Sequence, residues 1–261
     1  MLKTMMKIIR LFFLTALRPK DDLLRFKLLR RIAKSIMPGY RFHWPQIGWW
    51  ENKQFNNYLQ RFSEIRSPNI EQRWMLYQLM RLTEQVSGDT AECGVYKGAS
   101  SWLMCMHNRP TSAGRKMHFM FDSYSGLSAP GSTDGDHWSK GDLSCSTTQV
   151  RDSMSSLEHY SILQGWIPEK FNEVEDHAFS FVHIDVDLYQ PTFDSIAFFY
   201  SRMNKGGIIV CDDYGLTSCP GATRAIDEFL AEKPEKMIQN SCGGGFMIKG
   251  IAVGNPTDLN I

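Results

Sequence analysis

The chain has 261 residues, 43% of them apolar and 22% charged, which is ordinary for a globular protein with a real core. Its net charge of +1 rules out nucleic acid as an obvious partner for the whole chain. The near-neutral total hides an asymmetry: residues 1–40 carry ten Lys or Arg against two Asp, a net of +8, which leaves −7 on the remainder. A basic head on an acidic body points to something anionic at the head. The six cysteines, Cys93, Cys105, Cys145, Cys211, Cys219 and Cys242, include no C-x-x-C pair. Cys93 and Cys211 lie in strand-like runs, where a thiol packs as a small hydrophobe. No disulfide framework is implied, so a reducing compartment, the cytoplasm, is expected.

The chain opens MLKTMMKIIRLFFLTALRPK, whose apolar run from Leu11 to Leu17 is far too short to span a bilayer. Three readings are open: an uncleaved segment lying at a membrane interface, a helix docked on the body or on a second subunit, and a cleaved signal. Residues 21–36, DDLLRFKLLRRIAKSI, place Leu24, Leu28, Leu29, Ile32 and Ile36 on one helical face, with Arg25, Lys27, Arg30, Arg31 and Lys34 over much of the rest. Such a helix either lies on an anionic membrane or covers a core. Residues 1–40 are therefore a candidate peripheral contact with the inner face of the membrane. The stretch MPGYRFHWPQIGWWEN and the polar residues after it read as a lid, a substrate wall or cap packing. Residues 1–65 are taken as a basic, aromatic extension, and 66–261 as the main domain.

From residue 70 helices and strands alternate. EQRWMLYQLMRLTEQV is a helix, TAECGVY a strand, ASSWLMCMHN a helix and KMHFMFDSY a strand. A polar loop covers 125–146. Then follow the helix TTQVRDSMSSL, the strands YSILQGW and FSFVHID, the helix PTFDSIAFFYSRM, the strand GGIIVCDDY and the helix GATRAIDEFLAEK. KMIQN and GGGFMIKG close the chain as a hairpin. Short apolar strands alternating with helices predict an α/β fold with a doubly wound, mostly parallel sheet.

Ligands of such sheets bind beyond the carboxyl ends of the strands. After the first strand, Glu92, Gly94, Gly98 and Ser100 lie in a turn that lets backbone approach a ligand and ends at a helix N-terminus. The G-x-x-x-G spacing is neither a dinucleotide fingerprint nor a P-loop. After the second strand, Asp122 is placed to take both hydroxyls of a ribose. Asp185 ends a later strand and Asp212-Asp213 the next. Three hard oxygen donors at one sheet edge suit Mg²⁺ or Ca²⁺, and like charges that close favour a cation. Asp187 reads as a supporting or helix-start acid. His183 reads as a core histidine with one hydrogen bond and no chemistry.

Taken together, AECGVYKGAS, FDSYSGL, GDLSCSTTQVRDSM, ILQGWIPEKF, HIDVDLYQPTFDSI, GGIIVCDDYG and GATRAIDEF resemble the macrocin O-methyltransferase (TylF-type) family of class I S-adenosylmethionine-dependent methyltransferases over residues 70–250. The resemblance implies the seven-stranded Rossmann-like sheet of that class, with an N-terminal helical extension. It implies S-adenosylmethionine and Mg²⁺ as cofactors, and methyl transfer to a vicinal hydroxyl of a sugar in a natural product or glycan. By resemblance, Glu92, Gly94, Tyr96, Gly98 and Ser100 hold the methionine end of the cofactor. Asp122, with Ser123 beside it, takes the ribose, and Gly165 and Trp166 border the adenine. Asp185, Asp212 and Asp213 match the metal ligands, Asp185 matches the general base, and His137 falls near the substrate. A homodimer is also implied. Val186 departs from the Gly common between the two acids of that strand, and residues 1–65 match nothing in the family.

Two other readings compete. Asp185-Val186-Asp187 is what a metal-dependent glycosyltransferase would show, but that leaves the Glu92–Ser100 turn, Asp122 and the Asp212-Asp213 pair unexplained. A non-catalytic membrane-surface module is opposed by the intact acids.

Overall fold

The computed structural model describes residues 2–36, 48–108 and 114–254, which fall into two compact units, Met1–Ile65 and Arg66–Ile261. In the first unit, α1 (Leu2–Leu17) and α2 (Asp22–Ile36) pack on each other as a helical hairpin. Asp21 caps α2 by accepting from the Leu24 amide at 2.9 Å, where a carboxylate also meets the positive end of the helix. Ile8, Leu11 and Leu14 of α1 are half-buried, as are Leu24 and Leu28 of α2. Residues 53–61, read above as merely polar, form a third helix, α3 (Lys53–Arg61). Asn52 caps it, and Phe55, Tyr58 and Leu59 are buried at i, i+3 and i+4, a three-residue stripe too short to register as a period. Of the aromatic stretch read as a lid or wall, residues 37–47 lie outside the described residues.

The second unit begins with α4 (Ile70–Leu82) and is built on one seven-stranded sheet in the order β3-β2-β1-β4-β5-β7-β6. Its strands are β1 (Asp89–Cys93), β2 (His118–Asp122), β3 (Tyr160–Gln164), β4 (Phe179–Ile184), β5 (Met203–Cys211), β6 (Ile238–Gln239) and β7 (Gly245–Ile248). The first five are mutually parallel, and β7 pairs antiparallel with both β5 and β6. The closing hairpin therefore folds back so that its second strand, β7, lies against β5, and its first, β6, forms the sheet edge. The helices α5 (Ala99–His107), α6 (Thr147–Met154), α7 (Tyr189–Tyr200) and α8 (Pro220–Leu230) follow the parallel strands. β1 to β4 stop one to three residues short of the runs read from sequence, because the acids and glycines at their ends leave the ladder to form the site. β5 instead starts three residues early, at Met203.

Strand alternation sorts the central residues by face. All six residues of β4 are buried, as expected for a parallel strand covered on both sides. The main core gathers Phe121, Phe171, Phe179, Ile184, Ile196 and Phe199. Phe199 of α7 is its hub, with ring centroids of Phe179, Phe198, Phe171 and Phe121 at 4.9, 5.0, 5.2 and 6.0 Å. Edge-to-face aromatic pairs of this kind add to the area they bury. Phe199→Ala should cost about 3–5 kcal/mol of unfolding free energy, read as a lower denaturant midpoint with an unchanged slope.

Candidate active site

The strand order reverses between β1 and β4, so the connections that leave their carboxyl ends diverge, the place where such sheets bind ligands. Gly94 follows β1 on one side and Asp185 follows β4 on the other. They touch: the Asp185 amide donates to the Cys93 carbonyl at 2.8 Å, and a Cβ on Gly94 would run into the Asp185 carbonyl oxygen. With φ at +85° as well, position 94 accepts only glycine comfortably. Gly98, at φ +83°, opens α5.

Asp122, at the end of β2, organises this turn. Its Oδ2 accepts from the Val95 and Tyr96 amides, each at 2.8 Å, and its Oδ1 from the Tyr124 amide at 2.6 Å. Burial raises its pKa, against the lowering effect of those three amides. Ser123 donates to the Gly126 carbonyl and accepts from the Ser125 amide, so it shapes the next turn. Gly165 follows β3 and donates to the Asp122 carbonyl at 3.0 Å, with the half-exposed Trp166 next to it. Gly94, Tyr96, Asp122, Gly165 and Trp166 therefore line one edge, at the ends of β1, β2 and β3. Glu92 and Ser100 do not open onto it, because both are buried. The Glu92 carboxylate is engaged by the Ser101 hydroxyl and by His183 Nδ1 at 2.8 Å.

His183 is, as expected, a buried histidine with one hydrogen bond, this one to Glu92. The structure adds a charge contact that the sequence did not show. Glu92 and His183 are register partners across β1 and β4, both fully buried, and the other imidazole nitrogen lies 3.5 Å from Asp212 Oδ1. Burial by itself would lower the imidazole pKa, but Asp212 and Glu92 outweigh it and push it up to about 10. The same imidazolium holds both Glu92 and Asp212 below their ordinary values against the effect of burial. His118, also fully buried, is the opposite case. It bonds Thr90 Oγ1 and Ser101 Oγ, and burial drives its pKa down to about 4.

The four acids split into two groups. His183, Asp185 and Asp212 present ligand atoms within 4.8 Å of one another, and Asp187, Asp213 and Cys219 do the same beside them. Asp185 and Asp187 thus fall into different groups and do not act as a paired Asp-x-Asp. Asp213, expected with Asp185 and Asp212, accepts the Asp187 amide at 2.8 Å. Asp187 has a left-handed backbone, φ +60°, and its carboxylate accepts from Cys219 at 3.6 Å. Burial, then the charges of Asp212 and Asp213, raise the Asp185 pKa well above the carboxylate range. Burial, then Asp185, push Asp187 up to about 7. Crowded acids that resist ionisation have the chemistry to hold a hard cation, whose charge would relieve their repulsion.

Arg73 of α4, missed in the sequence, sits with Nη1 4.0 Å from both Asp185 Oδ2 and Asp212 Oδ2. Its signal was there: Ile70, Arg73, Leu76 and Met80 share the buried face of α4, and an arginine on such a face needs an acid. Gln72 beside it donates to the Asp212 carbonyl at 3.0 Å.

His137 lies in the long loop, exposed, edge-on to Trp138 at 4.7 Å. The Trp138 indole donates to Cys219 Sγ at 3.3 Å, and Cys219 in turn donates to Asp187, so the loop is moored at the acid groups. Buried Asp134 supplies a second mooring: it accepts from the Tyr189 amide at the start of α7 and from the Gly131 amide, both at 2.7 Å.

The profile of the macrocin-O-methyltransferase (TylF) family matches residues 76–241. The demethyldecarbamoylnovobiocin O-methyltransferase of Streptomyces niveus is 27% identical over 158 residues, 56% of this chain and 60% of that protein. An 8-demethyl-8-(2,3-dimethoxy-alpha-L-rhamnosyl)-tetracenomycin-C 4'-O-methyltransferase of Streptomyces olivaceus is 27% identical over 155 residues, 54% and 58% of the two chains. The chain thus spans about six tenths of the length of these curated relatives. Among solved structures, the O-methyltransferase NovP superposes with a TM-score of 0.57 at 21% identity, over 67% of this chain and 79% of that one. The calicheamicin methyltransferase CalS11 gives 0.64 at 15% identity, over 85% and 91%. Both share the class I methyltransferase fold.

The Asp187 shift has a consequence for stability. A carboxyl raised from 3.8 to about 7 in the folded state favours folding below the lower value, and that contribution is lost as pH rises to the upper one. Above it, the ionised group opposes folding. Asp187→Asn keeps an acceptor for Cys219 without the charge. It should raise the melting temperature of the metal-free protein by a few degrees near pH 8 and leave it unchanged near pH 5.

Proposed function

The chain belongs to the macrocin-O-methyltransferase (TylF) family, and on that premise we propose that it transfers a methyl group from S-adenosylmethionine to a sugar hydroxyl of a natural product or glycan, with Mg²⁺ at the acid groups. The observation that carries the reading is the contact between Gly94 and Asp185. It brings the glycine turn, a place for a nucleoside-bearing donor, against the acids at the end of the neighbouring strand. The rhamnosyl group in the printed name of the tetracenomycin relative supports a sugar acceptor.

The donor supplies an electrophilic sulfonium methyl, and the residues along β1, β2 and β3 have the placement to hold it. Tyr96 and Trp166, each about two-fifths exposed, offer flat apolar surface for its base or methionine arm. The Asp122 carboxylate, held in place by three amides, is positioned for the ribose hydroxyls.

The donor set at β4 and β5 fits Mg²⁺, because Asp185 and Asp212 bring hard oxygens within 4.8 Å of one another, with Asp187 and Asp213 in the neighbouring group. When bound, Mg²⁺ would lower the pKa of the acceptor hydroxyl. His183 and Arg73 keep Asp212 ionised and oriented, as supporting partners of metal ligands do. Asp185, in its ionised form, would take the hydroxyl proton, its raised proton affinity favouring that transfer. His137, moored through Trp138 and Cys219, lines the acceptor side.

Three outcomes test this. In titration calorimetry S-adenosylmethionine binds without Mg²⁺ and a nucleotide sugar does not; the reverse would return the glycosyltransferase reading. Asp212→Ala loses transfer by at least about a hundredfold while donor binding survives; full activity in that variant would remove the metal role. Mg²⁺ raises the melting temperature more near pH 8 than near pH 6, because the raised carboxyls must lose their protons before a cation can relieve their repulsion.

A further inference from the structure

The hairpin of α1 and α2 carries an apolar surface that methyl transfer does not use. On α1, Met5, Met6, Ile9, Phe12, Phe13 and Leu17 are between 48% and 79% exposed. At 3.6 residues per turn they fall in one arc of less than half the helix circumference. Ile8, Leu11 and Leu14, on the other side, are the ones half-buried. On α2, Leu29, Ile32 and Ile36 are exposed at i, i+3 and i+7, again along one face. A water-soluble surface does not display so many large side chains in contiguous arcs without a use for them.

Charge says what covers them. Lys7, Arg10 and Arg18 of the α1 region and Lys27, Arg31 and Lys34 of α2 are exposed. Residues 1–40 contain two acids in all, Asp21 and Asp22, and both lie at the start of α2, where they serve the helix end. A second copy of the hairpin would bring two surfaces of net +8 together, which repels. An apolar arc on a hairpin of net +8, nearly free of acids, is complementary to the headgroup boundary of an anionic bilayer. Among the described residues no helix is long and apolar enough to cross a membrane, so the hairpin would lie on the surface.

We propose that the α1–α2 hairpin is a peripheral membrane anchor. The exposed face of α1 inserts among the lipid headgroups of an anionic leaflet, with Ile9 and Phe13 at its centre, Phe12 at its border, and the net positive charge of the hairpin drawn to the lipid phosphates. The inference rests on the first unit alone and is independent of the reaction assigned to the second.

The full chain is mixed with vesicles of phosphatidylcholine containing about one third phosphatidylglycerol, or of phosphatidylcholine alone, and floated on a density gradient. It should rise with the anionic vesicles and not with the neutral ones, and binding should weaken as salt in the loading buffer rises. Phe12→Glu/Phe13→Glu should lower the partition at least about tenfold, with melting temperature, molecular mass in solution and S-adenosylmethionine binding unchanged. Lys27→Glu/Arg31→Glu, which leaves the apolar arc intact, should lower it as well. No flotation with anionic vesicles overturns the proposal, as does a double-phenylalanine variant that floats like the parent. A parent that stays off vesicles while that variant falls apart into smaller species would assign the face to a second copy instead.

Discussion

A carboxylate and an imidazole, buried side by side in the middle of a sheet, hold this site together. Glu92 of β1 and His183 of β4 are register partners with no solvent exposure, and their contact is 2.8 Å. Removing one partner from such a buried pair leaves an uncompensated charge, at a cost of about 3–5 kcal/mol. The pair therefore specifies one register for β1 and β4, the two strands between which the sheet order reverses. It extends into a row across the sheet: the Ser101 hydroxyl, Glu92, His183, Asp212 and Arg73, alternating in charge from Glu92 onward. Each ion is neutralised by its neighbours, which is how this many charges are accommodated where water is absent. The row ends at the acids, so the same contacts that set the register also aim Asp212.

The row explains why acids a few residues apart behave differently. His183 and Arg73 lower the pKa of Asp212 against its burial, while burial and then the charges of Asp212 and Asp213 raise that of Asp185. Asp187 and Asp213 are drawn aside by Cys219 and a backbone amide. One edge of the sheet thus carries an acid of lowered pKa beside one of raised pKa. The long loop adds a wall, held by Asp134 at the start of α7 and by Trp138 at Cys219.

The two units divide the labour by charge. The acidic second unit spends its buried ions on building a site. The basic first unit leaves most of its ions in water and many of its large apolar side chains exposed.

Much of this was legible in the chain itself. Alternating apolar runs with acids and glycines at their ends specify a parallel α/β sheet and put Gly94, Asp122, Asp185, Asp212 and Asp213 at its carboxyl edge, because strand period and strand direction are local properties. α3 was not legible, since its buried stripe is three residues long. Nor was the partner of Glu92: it looked like a ligand residue from its place before the glycine turn, and its register with His183 turns it inward. Ser100 is buried as well, and its neighbour Ser101 donates to Glu92. Sequence by itself thus determined which residue types stand at which strand ends. Only the tertiary structure decided which of them face each other, that Arg73 joins the acids, and that Asp213 leaves Asp212 for Asp187. The physical reason is that pairing between strands and helices distant in the chain is set by register and burial, and neither is written in local spacing.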